Sequence, residues 1–300
     1  MHQSVRHYRY MLLDVFTKTR LEGNPLAVFP EAQGISDLQM QQIAGELNLS
    51  ETVFLTISQT GAAARARIFT PRRELDFAGH PTIGTAHVLN HLGERSVSFG
   101  IQENVGTVPI EVATDADGDP VFWLTTPSIQ FYETLGAELC AELLGLATTD
   151  LASAPPQFVS AGSPFLFIAL KDRQAVDRAV LNAACLPKAL GSANSVGTFV
   201  FARTHSDPGG PFDVHARMFA PQTGIAEDPA TGGATGPLAA YMLEHGLASL
   251  SEGTCEFISE QGVKMGRRSV LRVRVSSQDD ALTIKVGGSA IIVAEGTFLL

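Results

Sequence analysis

The feature that most constrains the fold is a short pattern that occurs twice, half a chain apart. Phe69-Thr70-Pro71 resembles Phe219-Ala220-Pro221, and residues 80–86 resemble residues 228–234. The latter segments start at positions 80 and 228, which are 148 residues apart in a chain of 300. In both halves an apolar stretch follows and ends at a His and a Gly. A repeat at this spacing indicates duplication, so the sequence predicts two similar domains.

Hydrophobic periodicity predicts short strands around one mostly apolar helix in each half. The strands of the first half are predicted at residues 12–16, 26–29, 52–57 and 62–69. Ser36, with Gln39 three residues later, forms a capping box before an apolar helical pattern. Pro81 fits the first position of another helix, which makes His80 its expected N-cap, and a helix is also expected at 133–144. The predicted fold class is α+β.

Composition and charge exclude several classes of function. The net charge is −10 and no basic stripe occurs, so we expect no nucleic-acid partner. No apolar run approaches the roughly 20 residues that span a bilayer, and no signal peptide is recognised, so we expect no membrane partner. The three cysteines, Cys140, Cys185 and Cys255, form no CxxC pair, which disfavours a disulfide scaffold or a cysteine zinc site. A cytoplasmic protein is expected.

Two predicted helix starts could bind an anion. His80-Pro81 and Asp228-Pro229 each precede small residues, and the backbone N–H groups at a helix start favour a carboxylate. If the two domains face each other, both starts would meet at a shared cleft. Asp228 is equally explained as a structural N-cap, whereas His80 is a poorer cap and is as readily functional.

Glu51 is the third candidate, because it begins an apolar strand directly after a helix. A carboxylate at the rim of a sheet is usually solvated. In a cleft, burial would favour its protonated form and suit it to both taking and giving a proton. His87 and His91 have the spacing of zinc ligands, but no third ligand accompanies them, so no metal site is predicted.

Several segments, taken together, resemble the PhzF-type phenazine-biosynthesis isomerase family. They are Glu22-Gly23-Asn24-Pro25, Asn48-Leu49-Ser50-Glu51-Thr52, Phe77-Ala78-Gly79-His80-Pro81, Glu227-Asp228-Pro229-Ala230-Thr231-Gly232, Gly236-Pro237-Leu238-Ala239, Gln261-Gly262-Val263, Gly266-Arg267 and Glu295-Gly296-Thr297. They occur in the family's order over residues 10–300.

The resemblance implies an architecture related to diaminopimelate epimerase. Two pseudo-symmetric α+β domains are expected, each a mostly antiparallel sheet or barrel wrapped around a central helix, with the active site in the cleft between them. We expect domains at 1–124 and 125–290, with the C-terminal strand at about 291–300 returning to the first. A homodimer is the family expectation.

The resemblance also implies acid–base catalysis without a cofactor or metal. Glu51 matches the family's proton shuttle, and His80 and Asp228 match the residues that hold and polarise the substrate. Gly79 and Gly232 are expected to offer backbone N–H groups to it. Where the family usually has a Ser, this chain has Gly233, which either leaves room for a larger substrate or lets a water replace the hydroxyl.

The substrate that the resemblance implies is a small carboxylic acid. The leading candidate is trans-2,3-dihydro-3-hydroxyanthranilate, from which the phenazine enzymes remove a proton at C3 and return one at C1. An epimerase or isomerase of another amino-acid-like metabolite is the alternative. So is a catalytically silent module for small-molecule binding or protein interaction. The epimerase relatives use two Cys, and no Cys lies at either predicted helix start.

Overall fold

The chain folds into two compact units, seen in a computed structural model that describes residues 5–93, 97–190, 195–204, 213–278 and 281–300. The first unit comprises Met1–Thr125 and Gly287–Leu300, and the second comprises Thr126–Val286. None of the helices in the described part of the chain combines the length and apolar character needed to cross a membrane.

A sheet curled around one helix forms the first unit. Its elements are β1 (His7–Val15), β2 (Asn24–Phe29), α1 (Asp37–Leu47), β3 (Glu51–Thr56), β4 (Ala64–Phe69), β5 (Glu74–Leu75), α2 (Gly79–Leu92), β6 (Ser98–Glu103), β7 (Gly106–Thr114), β8 (Pro120–Thr125) and β18 (Ala290–Leu299). The paired order is β18-β1-β2-β3-β4-β6-β7-β8, with β5 also on β4. Only β2–β3 and β4–β6 are parallel. Because α2 packs on strands from both ends of this order, β18 and β8 included, the sheet wraps around it.

The same order of strands builds the second unit. Its elements are β9 (Gln130–Thr134), α3 (Ala137–Leu144), β10 (Gln157–Ser160), β11 (Pro164–Ala169), α4 (Arg173–Arg178), α5 (Leu186–Leu190), β12 (Gly197–Thr204), β13 (Asp213–Ala220), β14 (Ile225–Asp228), α6 (Gly232–Glu244), β15 (Thr254–Gln261), β16 (Ser269–Gln278) and β17 (Ala281–Gly288). Strands pair as β9-β10-β11-β12-β13-β15-β16, with β14 on β13, and the parallel pairs are β11–β12 and β13–β15. Helix α6 packs against β10, β11 and β16. The predicted α+β fold class, with a mostly antiparallel sheet around a helix, is therefore confirmed.

An Arg–Glu ion pair occurs at the same place in each unit, so the duplication extends to individual side-chain contacts. The Arg67 guanidinium donates two hydrogen bonds to Glu74, at 2.8 and 2.7 Å, and lies 5.2 Å from the ring centre of the Phe two residues later. The Arg217 guanidinium donates two to Glu227, at 2.9 and 2.8 Å, and lies 4.7 Å from the equivalent Phe ring. Each pair joins a long strand to the short strand that precedes the central helix.

The starts of both central helices differ from the prediction. Helix α2 begins at Gly79 after the N-cap Ala78, so His80 is its second residue and not the N-cap. Ala78 makes no side-chain capping bond, so the sequence around it does not identify it as an N-cap. Pro81 is tolerated as third residue because N–H groups in the first turn have no partner within the helix. Helix α6 begins at Gly232 after the N-cap Thr231.

Asp228 is the last residue of β14, so its interpretation as an N-cap is wrong. The helix predicted at 133–144 is also wrong at its start, where β9 runs to Thr134 and α3 begins only at Ala137. The capping box of Ser36 and Gln39 is confirmed at the start of α1. Local side-chain bonds were thus predictable, whereas strand pairing decided the ends of β14 and β9.

Candidate active site

Glu51 and His80 come together in the first unit because a parallel strand pair meets the start of α2. Leu26 on β2 lies opposite Glu51 on β3, so both strands begin at the same edge. A Cβ atom on Gly84 of α2 would lie 2.4 Å from Leu26 Cδ2. The absence of a side chain at Gly84 therefore lets the helix approach β2 closely, which brings His80 to the strand ends.

The contacts of His80 are with Glu51 and Asn24, the first residue of β2. The Nδ1 atom of His80 lies 3.3 Å from Oε2 of Glu51 and 3.4 Å from Nδ2 of Asn24. Only 5% of the His80 side chain and 13% of the Glu51 side chain are exposed. Burial lowers the pKa of His80 to about 3, so its imidazole is neutral. The 3.3 Å contact with Glu51 therefore joins a neutral ring to the carboxyl and is not an ion pair.

A neutral imidazole has two proton arrangements that fit this contact. With Glu51 ionised, His80 Nδ1–H donates to the carboxylate, and Nε2 presents a lone pair. With Glu51 protonated, its O–H donates to Nδ1, and Nε2 carries the proton. The buried Nε2 atom has no hydrogen-bond partner among the described residues. At Nε2, the imidazole can therefore accept a hydrogen bond in the first arrangement and donate one in the second.

Asp228 lies in the second unit, where the turn before α6 orients it. Its side chain is buried, and the Thr231 hydroxyl donates to Asp228 Oδ2 at 2.6 Å. Gln261, the last residue of β15, donates from Nε2 to the Asp228 carbonyl at 2.7 Å. The carboxylate is therefore held by a turn that is itself bonded to a neighbouring strand.

The three predicted glycines lie at the starts of the central helices. Gly79 is the first residue of α2, and Gly232 and Gly233 are the first two of α6. N–H groups at such positions have no partner within the helix and suit an anionic ligand. A Cβ atom on Gly233 would meet no other atom within 4 Å, so packing does not require glycine there. A role in substrate binding stays a prediction for all three.

The remaining candidates are in settings that do not favour catalysis or metal binding. His87 is packed edge-on against Phe122, and burial lowers its pKa to about 4. Cys140, Cys185 and Cys255 are buried, which raises the pKa of each thiol and keeps it protonated.

Within the described residues, one group of potential metal ligands lies at the β7–β8 turn. It consists of Asp115, Asp117 and Asp119. The Lys18 amino group forms ion pairs with all three, at 3.0 Å to Asp117 and 2.8 Å to Asp119. The lysine already supplies the positive charge that these carboxylates require.

Asn24 and Gln261 belong to the motifs that carry the family resemblance, but their contacts could not be predicted from the sequence. Both are fully buried polar side chains beside the candidate residues. A polar residue at a strand terminus gives no sign of burial in the sequence, since solvent exposure is the usual outcome there. Only the packing of α2 and α6 reveals that these side chains are enclosed.

Comparisons with known proteins agree over the whole chain. A family model described as "Phenazine biosynthesis-like protein" matches residues 13–296. The trans-2,3-dihydro-3-hydroxyanthranilate isomerase of Pseudomonas chlororaphis is 33% identical over 296 residues, covering 98% of this chain and 100% of that protein. The crystal structure of a PhzF-family phenazine biosynthesis protein from Bacillus anthracis matches with a TM-score of 0.90 at 27% identity, covering 98% and 100% of the two chains. A hydroxyproline epimerase from Agrobacterium vitis shares the fold alone, with a TM-score of 0.64 at 12% identity over 98% and 93%.

Proposed function

Because the chain belongs to the phenazine biosynthesis-like protein family, we propose that it is an isomerase that moves a proton within a small carboxylic acid by acid–base catalysis, without a cofactor or metal. The observation that carries this proposal is the contact between buried Glu51 and neutral His80 at 3.3 Å. The leading candidate substrate is trans-2,3-dihydro-3-hydroxyanthranilate, on which the matched Pseudomonas relative acts by name.

In the proposed mechanism Glu51 is the proton carrier. Its carboxylate takes the proton from C3 of the substrate, and the resulting carboxylic acid returns it at C1, so that no net proton is gained or lost. The enol that forms then becomes the ketone. His80 remains neutral throughout and exchanges its acceptor and donor roles at Nε2 as Glu51 changes protonation state. One carboxyl serves both steps if they occur on the same face of the ring.

Asp228 and the three glycines are proposed to hold the substrate. A carboxylate substrate would be repelled by a protein of net charge −10 unless local donors compensated. The first-turn N–H groups at Gly79 and at Gly232–Gly233 are such donors. Asp228 would hold the substrate's amino group or hydroxyl, since its carboxylate is an acceptor oriented by Thr231.

The direct test is to incubate the purified protein with trans-2,3-dihydro-3-hydroxyanthranilate and to follow the loss of the substrate. The reaction is run in deuterated buffer, because a proton carrier that exchanges with solvent leaves deuterium in the product. Turnover with deuterium incorporation is the expected result. Binding without any turnover of this or related acids would instead favour the silent binding module.

A second candidate function is isomerisation or epimerisation of another amino-acid-like metabolite. The open space at Gly233 favours it, because a Cβ atom there would meet nothing within 4 Å and the site could accept a bulkier substrate. A panel of cyclic and branched amino acids, screened for α-deuterium exchange, distinguishes this candidate from the first.

We also propose that the protein works in the cytoplasm as a homodimer. This follows from the family resemblance and from the sequence, which contains only three cysteines, all of them buried thiols in the structure. Light scattering coupled to size-exclusion chromatography tests the dimer, with a mass of twice 31.9 kDa as the expected result.

A further inference from the structure

Glu103 and Gln261 occupy the same place in the two units. Strand β6 runs parallel to β4, and β15 runs parallel to β13. In the first unit Arg65, two positions before Arg67, lies opposite Gln102, the last residue but one of β6. In the second unit His215, two positions before Arg217, lies opposite Glu260, the last residue but one of β15. Glu103 ends β6 and Gln261 ends β15, so the duplicated plan makes them equivalent.

In the second unit this position holds the turn of Asp228 through a threonine. The fully buried Gln261 donates from Nε2 to Thr231 Oγ1 at 3.0 Å. The Thr231 hydroxyl in turn donates to Asp228 Oδ2 at 2.6 Å. A donor at the end of the strand therefore fixes the direction in which the threonine hydroxyl points, and that hydroxyl fixes the carboxylate.

In the first unit the residue at this position also contacts a threonine at the start of the central helix, although Thr82 is the fourth residue of α2 and Thr231 is the N-cap of α6. Thr82 Oγ1 lies 2.6 Å from Glu103 Oε1 and 2.7 Å from the carbonyl oxygen of Ala78, the N-cap residue. The hydroxyl has one proton and the carbonyl has none, so the two contacts need a second proton. A protonated Glu103 supplies it, because it donates to Thr82 while the Thr82 hydroxyl donates to Ala78.

The surroundings of Glu103 also favour the neutral acid. Its side chain is 2% exposed, and Thr82 is its one hydrogen-bond partner among the described residues. Burial raises the pKa of Glu103 to about 8. The titratable groups on the elements that pack against β6 are Arg65 and Arg67 on β4, His80, His87 and His91 on α2, and Glu111 on β7. None of these groups forms an ion pair with Glu103 in the described part of the chain, so no positive charge stabilises the carboxylate.

We propose that Glu103 is a positioning residue that holds the first turn of α2, and with it His80, only as the neutral acid, as the amide of Gln261 holds the turn of Asp228. The consequence for catalysis rests on the proposed roles of His80 and Asp228. When Glu103 ionises, its carboxylate accepts the Thr82 proton, and the bond from Thr82 to Ala78 is lost. The start of α2 then loses one of its attachments two residues from His80.

The first experiment measures stability without any substrate, so it is independent of the proposed function. A carboxyl with a raised pKa stabilises the folded state at low pH, and this stabilisation is lost as the pH rises from the ordinary Glu value of about 4.3 to 8. The Tm of the natural protein should therefore fall, relative to that of Glu103→Gln, between pH 5 and pH 8. Glu46→Gln, a change at an exposed glutamate, is the matched control and should keep the natural slope. A Glu103→Gln variant with the natural slope, or one that is less stable at pH 8, overturns the proposal.

The second experiment exchanges the two chemistries. Gln261→Glu places a carboxyl at the equivalent position. The Tm of this variant should therefore fall, relative to that of the natural protein, as the pH rises.

In the deuterium-exchange assay, Glu103→Gln should retain kcat/KM and remain active above pH 8, where the natural protein loses activity. A loss of kcat/KM in Glu103→Gln at pH 6 of more than tenfold would show that a neutral amide cannot replace the side chain of Glu103, which contradicts the proposal. If no acid is turned over by the natural protein, the Tm series still decides.

Discussion

Nδ1 of the His80 imidazole lies 3.3 Å from Oε2 of the Glu51 carboxyl, and both groups are almost fully enclosed by protein. Since the imidazole is neutral, the protonation of the carboxyl alone decides the charge of the pair. This makes the pair suited to moving a proton without first creating a buried ion pair. Glu51 and His80 lie 29 positions apart in sequence, and the close approach of α2 to β2 brings them together.

Replacing Glu51 by Gln should abolish proton transfer and leave the fold intact. The amide keeps the size of the side chain but cannot carry the proton, and removal of a general base costs about a hundredfold to ten-thousandfold in rate. The measurement is deuterium incorporation into the substrate together with ligand binding, which should be retained. Glu46→Gln on α1 is the control. Undiminished exchange in Glu51→Gln would remove Glu51 from the mechanism.

Acid should destabilise the protein partly through His80. Its pKa is lowered to about 3 in the folded state, whereas an unfolded His has a pKa of about 6.5. The stabilisation is thus present above pH 6.5 and is lost as the pH falls toward 3. His80→Gln should show a shallower loss of unfolding free energy over this range than the natural protein, by up to about 1.4 kcal/mol for each pH unit. Imidazole NMR that showed His80 titrating near pH 6.5 would refute this expectation.

Gly233→Ser should fold as the natural protein does and should have a higher kcat/KM for trans-2,3-dihydro-3-hydroxyanthranilate. The new Cβ atom meets nothing within 4 Å, so the Tm should change little. A hydroxyl that bonds a desolvated substrate group is worth about 1–3 kcal/mol, which predicts a rise in kcat/KM of about fivefold or more. A fall in kcat/KM would indicate a site fitted to a bulkier substrate.

The matched control for that substitution is Gly236→Ser, three residues further along α6. There the added Cβ atom would lie 2.3 Å from Thr126 Oγ1. Overpacking of this kind costs about 1–3 kcal/mol, so thermal unfolding should occur at a lower temperature in Gly236→Ser and not in Gly233→Ser.

Gly262→Ala should disturb the turn that carries Asp228. Gly262 has a φ of +77°, and an added Cβ atom would be too close to the carbonyl oxygen of Arg267 and would lie 2.7 Å from that of Pro229. Both backbone strain and this contact should destabilise the protein, together by about 2 kcal/mol or more. Gly266→Ala has a similar φ of +68 but open space, so chemical denaturation of the two variants separates strain from contact. Equal losses in both variants would show that the contacts of the added Cβ atom with Arg267 and Pro229 are unimportant.

The sequence was informative where neighbours along the chain determine structure. The capping box of Ser36 and Gln39 needs only four consecutive residues, and it was predictable without any tertiary contact. The start of α2 was not, because Ala78 makes no capping bond and Pro81 is compatible with several positions in a first turn. Asp228 ends a strand because β14 pairs with β13, which is a long-range effect.

The candidate site was predictable only as a set of residue types. The resemblance singled out Glu51 and His80, and the structure adds that they are in contact and that His80 is neutral. No sequence pattern distinguishes a buried Glu103 from an exposed glutamate at a strand end. Its equivalence to Gln261 emerges from the register of β6 and β15, which depends on pairing between distant segments.

The pairing of β18 with β1 has a consequence for how the chain folds as the ribosome makes it. Residues 290–299 lie beside β1 along its whole length, from His7 opposite Leu299 to Val15 opposite Ala290. They are synthesised after all of the other strands, so one edge of β1 has no partner until translation has passed the entire second unit. An exposed strand edge is a site for pairing with other chains. Until β18 has been made, that edge of β1 is therefore open to pairing with other chains.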